Sequence, residues 1–222
     1  MSHELRTPLG AIAGFTELLS LGARGSLTEE QQEDVRRIHG AYEHMSRVVE
    51  DLLSFNRIAA GTLALDIQDV DVGDLLRAVQ ELIGHQAVER GVSLTSDDLV
   101  GTQTVRADPH RLRQILLNLV GNAVKYTPSG GSVHIQATAT TTDALIEIED
   151  TGPGIPASEQ ASIFDPFIRL LHDKAAPGSG LGLAISREMA RAIGGDVTVA
   201  SEIDVGSRFS VRLPFSTRLA NE

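Results

Sequence analysis

Asp108-Pro109-His-Arg-Leu112-Arg-Gln-Ile115-Leu116-Leu-Asn118-Leu119-Val-Gly-Asn122-Ala-Val-Lys125-Tyr126 is the stretch on which the fold of the larger part of the chain turns. Asp108 reads as an N-cap, and Pro109 fills the first helical position, where its missing N–H costs nothing. Leu112, Ile115, Leu116 and Leu119 share one face, while Asn118, Asn122 and Lys125 follow at steps of four and three along another. The spacing predicts an amphipathic helix to about residue 126, with an apolar face for a core and a polar stripe opposite. Amide oxygens suit a hard cation such as Mg²⁺, and a nearby Lys suits phosphate. The same pattern also describes an ordinary helix surface.

Downstream of this helix, residues 132–138 and 145–150 alternate as strands. Residues 181–193 read as a helix closed by Gly194-Gly195, and residues 197–200 and 208–213 make a terminal strand pair. Upstream, Leu63-Ala-Leu65-Asp-Ile67 alternates like a strand, residues 72–91 read as a helix, and 92–95 as a short strand. Helices and strands interleave around hairpin-length loops, which predicts an α+β two-layer sandwich with a mixed sheet.

The first 60 residues have a different texture. Leu5, Leu9, Ile12 and Leu19 recur at helical spacing before a breaker cluster at Gly22 to Gly25. Thr28-Glu-Glu-Gln31 is a capping box. After it, Val35, Ile38, Tyr42, Met45, Val49, Leu52, Asn56 and Ala59 alternate steps of three and four, a heptad seam that stops near Gly61. Such a helical hairpin has too little core to stand alone, so pairing of two copies into a four-helix bundle, hence a homodimer, is expected.

Composition narrows the partners. The chain of 222 residues carries a formal charge of −11, which disfavours nucleic acid, and has no Cys, which excludes thiol chemistry and Cys-ligated zinc. Its apolar fraction of 41% argues against disorder, and no apolar run approaches the ~20 residues of a spanning helix. Of the 19 basic residues only two are Lys, Lys125 and Lys174, and both fall in segments with phosphate-binding character.

Three more segments carry candidate chemistry. In Ser2-His3-Glu4-Leu5-Arg6-Thr7-Pro8-Leu9, His3 lies on the side of the helix away from Leu5, Leu9 and Ile12, and Thr7 shares that exposed face one turn on. Pro8 is expected to bend the helix there. An exposed imidazole oriented by the adjacent Glu4 can act as a nucleophile. Asp150-Thr-Gly152-Pro-Gly154-Ile155 ends an apolar strand; its carboxylate suits an exocyclic amine, although the motif alone reads equally as a tight turn. Gly178-Ser179-Gly180-Leu181-Gly182-Leu opens a helix and offers free N–H groups to phosphate, without matching a dinucleotide fingerprint or a Walker loop. Between residues 164 and 178 a Gly/Pro-bounded stretch reads as a lid carrying Arg169 and Lys174.

In this order and spacing the motifs resemble those of the sensor histidine kinases of two-component signalling. Residues 2–9 resemble the H box, 118–126 the N box, 150–155 the G1 box, Phe164 to Phe167 the F box and 178–183 the G2 box, so the resemblance spans nearly the whole chain. It implies a dimerisation and His-phosphotransfer hairpin over residues 1–64 and an ATP-binding domain over 65–222. It further implies that His3 is phosphorylated, that Glu4 serves as base or orienter, and that Thr7 assists dephosphorylation of a partner regulator. Asn118 and Asn122 are implied to handle Mg²⁺ and phosphate, Lys125 phosphate, Asp150 the adenine amino group, and Arg169 and Lys174 the terminal phosphates. Tyr126, Gly152, Gly154, Ile155, Phe164, Gly178, Ser179, Gly180, Leu181 and Gly182 complete the implied ATP site. The implied partner is the receiver domain of a response regulator, to which phosphate passes from His3. One lid Arg of the family is absent, because Asp-Pro stands between Phe164 and Phe167. The chain also begins two residues before His3, where the family has several more helical turns. A sensor and the upstream part of the first helix are therefore expected outside this sequence, which reads as cytoplasmic as written and compatible with a membrane-anchored parent.

Overall fold

The computed structural model describes residues 2–97, 104–139, 143–169 and 179–215, and the side chains of all of these but 2–6, 59 and 139. Helix α1 (Ser2–Ser20) runs without interruption through Pro8. Helix α2 (Glu29–Ala59) starts at the expected capping box: the Gln31 N–H donates to the Thr28 hydroxyl while the Thr28 N–H donates to Gln31 Oε1. The two helices pack against each other. A 3.3 Å contact between Thr16 Oγ1 and His39 Nδ1 fixes their antiparallel register. Leu9, Thr16 and Val35 are buried between them, whereas Phe15, Ile38 and Met45 stay about half exposed.

Beyond the hairpin come β1 (Gln68–Asp71), α3 (Val72–Arg90), β2 (Ser93–Ser96), β3 (Thr104–Ala107), α4 (Pro109–Tyr126), β4 (Ser132–Ala139), β5 (Asp143–Asp150), α5 (Gly182–Ala192), β6 (Asp196–Glu202) and β7 (Gly206–Pro214). Five strands form one sheet in the order β2-β4-β5-β7-β6; the β2–β4 pair is parallel and the other pairs antiparallel. The sheet is mixed, as expected. Helices α4 and α5 lie side by side across one face, and α3 flanks α4. Alternation along β5 sends Ala144, Ile146, Ile148 and Asp150 toward those helices and Leu145, Glu147 and Glu149 outward. Leu112, Ile115, Leu116 and Leu119 of α4 meet that inner face with no exposed surface, so the apolar stripe of the deciding helix is the centre of the core.

Two features depart from the expected elements. Residues 63–67 do not form a strand. Leu63 and Leu65 do pack on the core, but the Asp66 N–H donates 3.0 Å to the Asp108 carboxylate rather than to a neighbouring strand. The ladder begins one step later, where β1 pairs antiparallel with β3, a strand absent from the sequence reading. Asp108 thus caps α4 through the N–H groups of His110 and Arg111 and anchors the connector at the same time. Burial opposes charge on Asp108, but the three backbone donors and Arg111 outweigh it and hold its carboxyl below the usual range.

Candidate functional site

A cleft of about 490 Å³ opens between α3, α4, the loop after β5 and the start of α5. Asn118, Asn122, Lys125 and Tyr126 reach it from α4, which is where the polar stripe of that helix falls. Asn118 Nδ2 donates to the buried Ser186 hydroxyl on α5 at 2.9 Å, which turns Oδ1 toward Gly182. A Cβ at Gly182 would lie 2.5 Å from that oxygen, so a larger residue there would displace the Asn118 amide. Lys125 Nζ donates to the Tyr126 hydroxyl at 3.0 Å, which holds both side chains at the cleft.

Asp150 closes the inner wall. It is 6% exposed and accepts from the Gly152 N–H at 2.8 Å through Oδ1, with the Ser207 N–H as a second donor. Burial raises its carboxyl above the usual range, and the two backbone donors offset this only in part. The neighbouring loop is pinned from β6: the Ile155 N–H donates to Ser201 Oγ at 2.8 Å, and Gln160 Nε2 donates to the carbonyls of Ile155 and Ser201. Asp150 is held by backbone on both sides of a closed loop, which suits recognition of a flat polar edge.

The opposite wall is the entry to α5. No side chain caps this helix, so its first N–H groups remain available at the positive end of the dipole. Ser179 and Gly180 line the cleft there, with the Leu181 N–H donating to Ser179 Oγ at 3.3 Å. Phe167 N–H donates to the Gly180 carbonyl at 2.9 Å near Arg169 at the cleft, while residues 170–178 of the expected lid lie outside the described residues.

The structure therefore brings Asn118, Asn122, Lys125, Tyr126, Asp150, Gly154, Ile155, Arg169, Ser179, Gly180 and Gly182 to one cleft. Three expected residues stand apart from its lining. Leu181 is fully buried in the core, Phe164 is 9% exposed beneath the Arg187 guanidinium, and Gly152 acts through its N–H on Asp150. Lys174 and Gly178 lie outside the described residues, and the side chains of His3 and Glu4 lie outside the described side chains. Thr7 is exposed on α1. The sequence reading missed Ile83 and Gln86 of α3, Phe209 of β7 and Asp51 of α2, all of which line the cleft. The first three are ordinary members of their elements. Asp51 enters through a hydrogen bond from Ser179 Oγ at 3.0 Å.

Among the described residues no group of three or more His, Asp or Glu can hold a metal ion. The two α4 amides offer a neutral pair of oxygen donors, which fits Mg²⁺ carried in with phosphate oxygens rather than a resident ion.

A cleft of this kind defines a nucleotide-type site on an α+β sandwich beside a helical hairpin. Residues 107–217 match the family described as Histidine kinase-, DNA gyrase B-, and HSP90-like ATPase, and residues 1–61 match the His Kinase A (phospho-acceptor) domain. The circadian input-output histidine kinase CikA of Synechococcus elongatus is 37% identical over 221 residues, 98% of this chain and 29% of CikA. The histidine protein kinase DivJ of Caulobacter vibrioides is 36% identical over 217 residues, 96% of this chain and 36% of DivJ. The crystal structure of full-length ShkA in complex with AMPPNP superposes with a TM-score of 0.86 at 38% identity, covering 99% of this chain and 45% of that one. The chain belongs to the histidine kinase family, and it spans about a third of the length of CikA and DivJ. No helix among the described residues is long and apolar enough to cross a membrane.

Proposed function

We propose that this chain is a histidine kinase core that uses ATP to phosphorylate His3 and passes the phosphoryl group to an aspartate of a response-regulator receiver domain. The observation that carries the reading is the convergence of Asp150, Asn122, Lys125 and the uncapped start of α5 on one cleft. The division of labour follows the boundary at residues 64 and 65, with the hairpin as acceptor and dimerisation unit and the rest as the ATP-binding unit. The AMPPNP bound in ShkA supports an adenine nucleotide as ligand.

The chemistry follows from the residues. Asp150 accepts from the adenine amino group, and the triphosphate extends toward Lys125, Arg169 and the α5 N-terminus. Mg²⁺, held by the amide oxygens of Asn118 and Asn122, supplies charge neutralisation when bound. A ring nitrogen of His3 attacks the γ-phosphorus, ADP leaves, and Glu4 orients the ring and takes up its proton. Transfer to the regulator then forms an acyl phosphate. Thr7, one turn along α1 from position 3, positions water for hydrolysis of that acyl phosphate. The exposed apolar side chains Ile12, Phe15, Leu18, Ile38 and Met45 of the hairpin support homodimerisation as a four-helix bundle.

Incubating the chain with γ-labelled ATP and Mg²⁺ tests the reading. An acid-labile, base-stable phosphoprotein is expected from the wild type and none from His3→Gln. Label that persists in His3→Gln, or its absence from the wild type, refutes it.

A further inference from the structure

The Asp51 carboxylate is the one group of the hairpin on the cleft wall among the described residues, and the proposed chemistry leaves it unused. It sits on α2, and Ser179 Oγ, at the entry to α5, donates to its Oδ2 at 3.0 Å across 128 residues of chain. The same hydroxyl accepts from the Leu181 N–H, so one side chain both shapes the start of α5 and ties it to the hairpin. Helices α2 and α5 also pack against each other. Asp51 is half-buried there, and burial is the main influence that raises its carboxyl.

The height of this contact follows from the hairpin register. Thr16 stands level with His39. Thirteen residues back along α1 reaches position 3, and thirteen residues forward along antiparallel α2 reaches position 52; at 1.5 Å per residue both steps are about 20 Å. The α5 entry is therefore fastened to the hairpin at the level of His3, one residue from the matching position.

We infer that Asp51 is a positioning residue that docks the nucleotide cleft onto its own chain's hairpin at the height of the phospho-acceptor, through its hydrogen bond from Ser179. The inference rests on the kinase reading given above. It gives Asp51 no contact with nucleotide: its part is to raise the fraction of molecules in which cleft and acceptor are close.

Two measurements on the full chain separate this role from others. With saturating ATP and Mg²⁺, Asp51→Ala should slow His3 labelling about tenfold, the usual scale for a lost hydrogen bond to a charged group. Its affinity for a fluorescent ATP analogue should stay within about twofold of wild type. Asp51→Asn keeps an oxygen that accepts from Ser179 and should recover most of the rate. Because the chain has no Cys, spin labels can be attached after Arg36→Cys and Thr198→Cys, both exposed positions. The label distance should be narrow in wild type and Asp51→Asn and broad in Asp51→Ala, whatever reaction the chain performs. An unchanged distance in Asp51→Ala, an unchanged or faster labelling rate, or an Asp51→Asn variant as slow as Asp51→Ala overturns the inference. So does a shift in nucleotide affinity that accounts for the rate, including tighter binding from a removed phosphate repulsion. Narrow and broad distances as expected, without labelling of the wild type, would refute the kinase reading while leaving the dock in place.

Discussion

Replacing Asp150 by Asn tests the adenine-binding assignment in a way the geometry makes one-directional. The Gly152 N–H already donates to Asp150 Oδ1 at 2.8 Å, so the Asn amide is compelled to present its oxygen to that donor. Its NH₂ then takes the place of Oδ2, where the adenine amino group is proposed to donate. A donor meets a donor. The lost interaction is one hydrogen bond to a charged acceptor, about 1.5–3 kcal/mol, which is about ten- to a hundredfold in affinity for ATP. GTP presents a carbonyl at the equivalent ring position and should gain from the same change, so the ATP/GTP preference narrows from both sides. Titration calorimetry of the wild type and Asp150→Asn with each Mg-nucleotide reads both numbers. The substitution also removes a buried charge. Burial raises the Asp150 carboxyl in the folded chain, so the fold binds this proton more tightly than the unfolded chain does. That contribution is fully present below the ordinary carboxylate pKa and is lost as pH rises through the raised one; Asp150→Asn should abolish the slope over this window. Equal ATP affinities for the two chains would refute the assignment, because no rotamer of Asn satisfies both Gly152 and an incoming amino group.

Gly206 has a φ of 139°, and a Cβ there would lie 1.9 Å from the Asp150 carbonyl oxygen, so Gly206→Ala must force β7 from β5 beside the cleft. We expect about 3 kcal/mol of lost stability, a Tm lower by about 5–10 °C and weaker ATP binding, and a calorimetric scan with Tm unchanged would contradict the close approach. Asp108→Ala removes the acceptor of three backbone N–H groups and should cost about 2 kcal/mol in urea unfolding at neutral pH. Since the Asp108 carboxyl is held below its ordinary range, the wild-type advantage should be constant above the unfolded pKa and decline progressively as pH falls below about 4; an advantage that does not decline with pH there would exclude the cap as its source.

What could be read from the chain and what could not divides along a physical line. The Thr28 box, the Asp108 cap and the buried face of α4 each arise from residues within a few positions of one another, so a short window contains their cause. Leu63 and Leu65 show the limit of that window. Alternation reports which side chains are buried, and both do pack on the core, but it says nothing about where the backbone N–H groups go; that of Asp66 goes to a carboxylate 42 residues away. Strand β3 was invisible for a related reason, because Val105 and Ala107 are its only buried positions and two do not make a pattern. The cleft was largely legible because α4, the β5 end and the α5 entry each carry a motif with its own local geometry, so three separate windows point to one place. The resemblance implies Leu181 and Phe164 in the ATP site, and the fold turns both apolar side chains into the adjoining core. Asp51 is the opposite case. Nothing around it on α2 distinguishes it from the other acids of an exposed helix, and its meaning depends on a hydroxyl 128 residues later. A residue whose role is to join two units leaves no mark in the sequence of either, so the contacts between hairpin and cleft, on which transfer from one to the other depends, had to come from the fold.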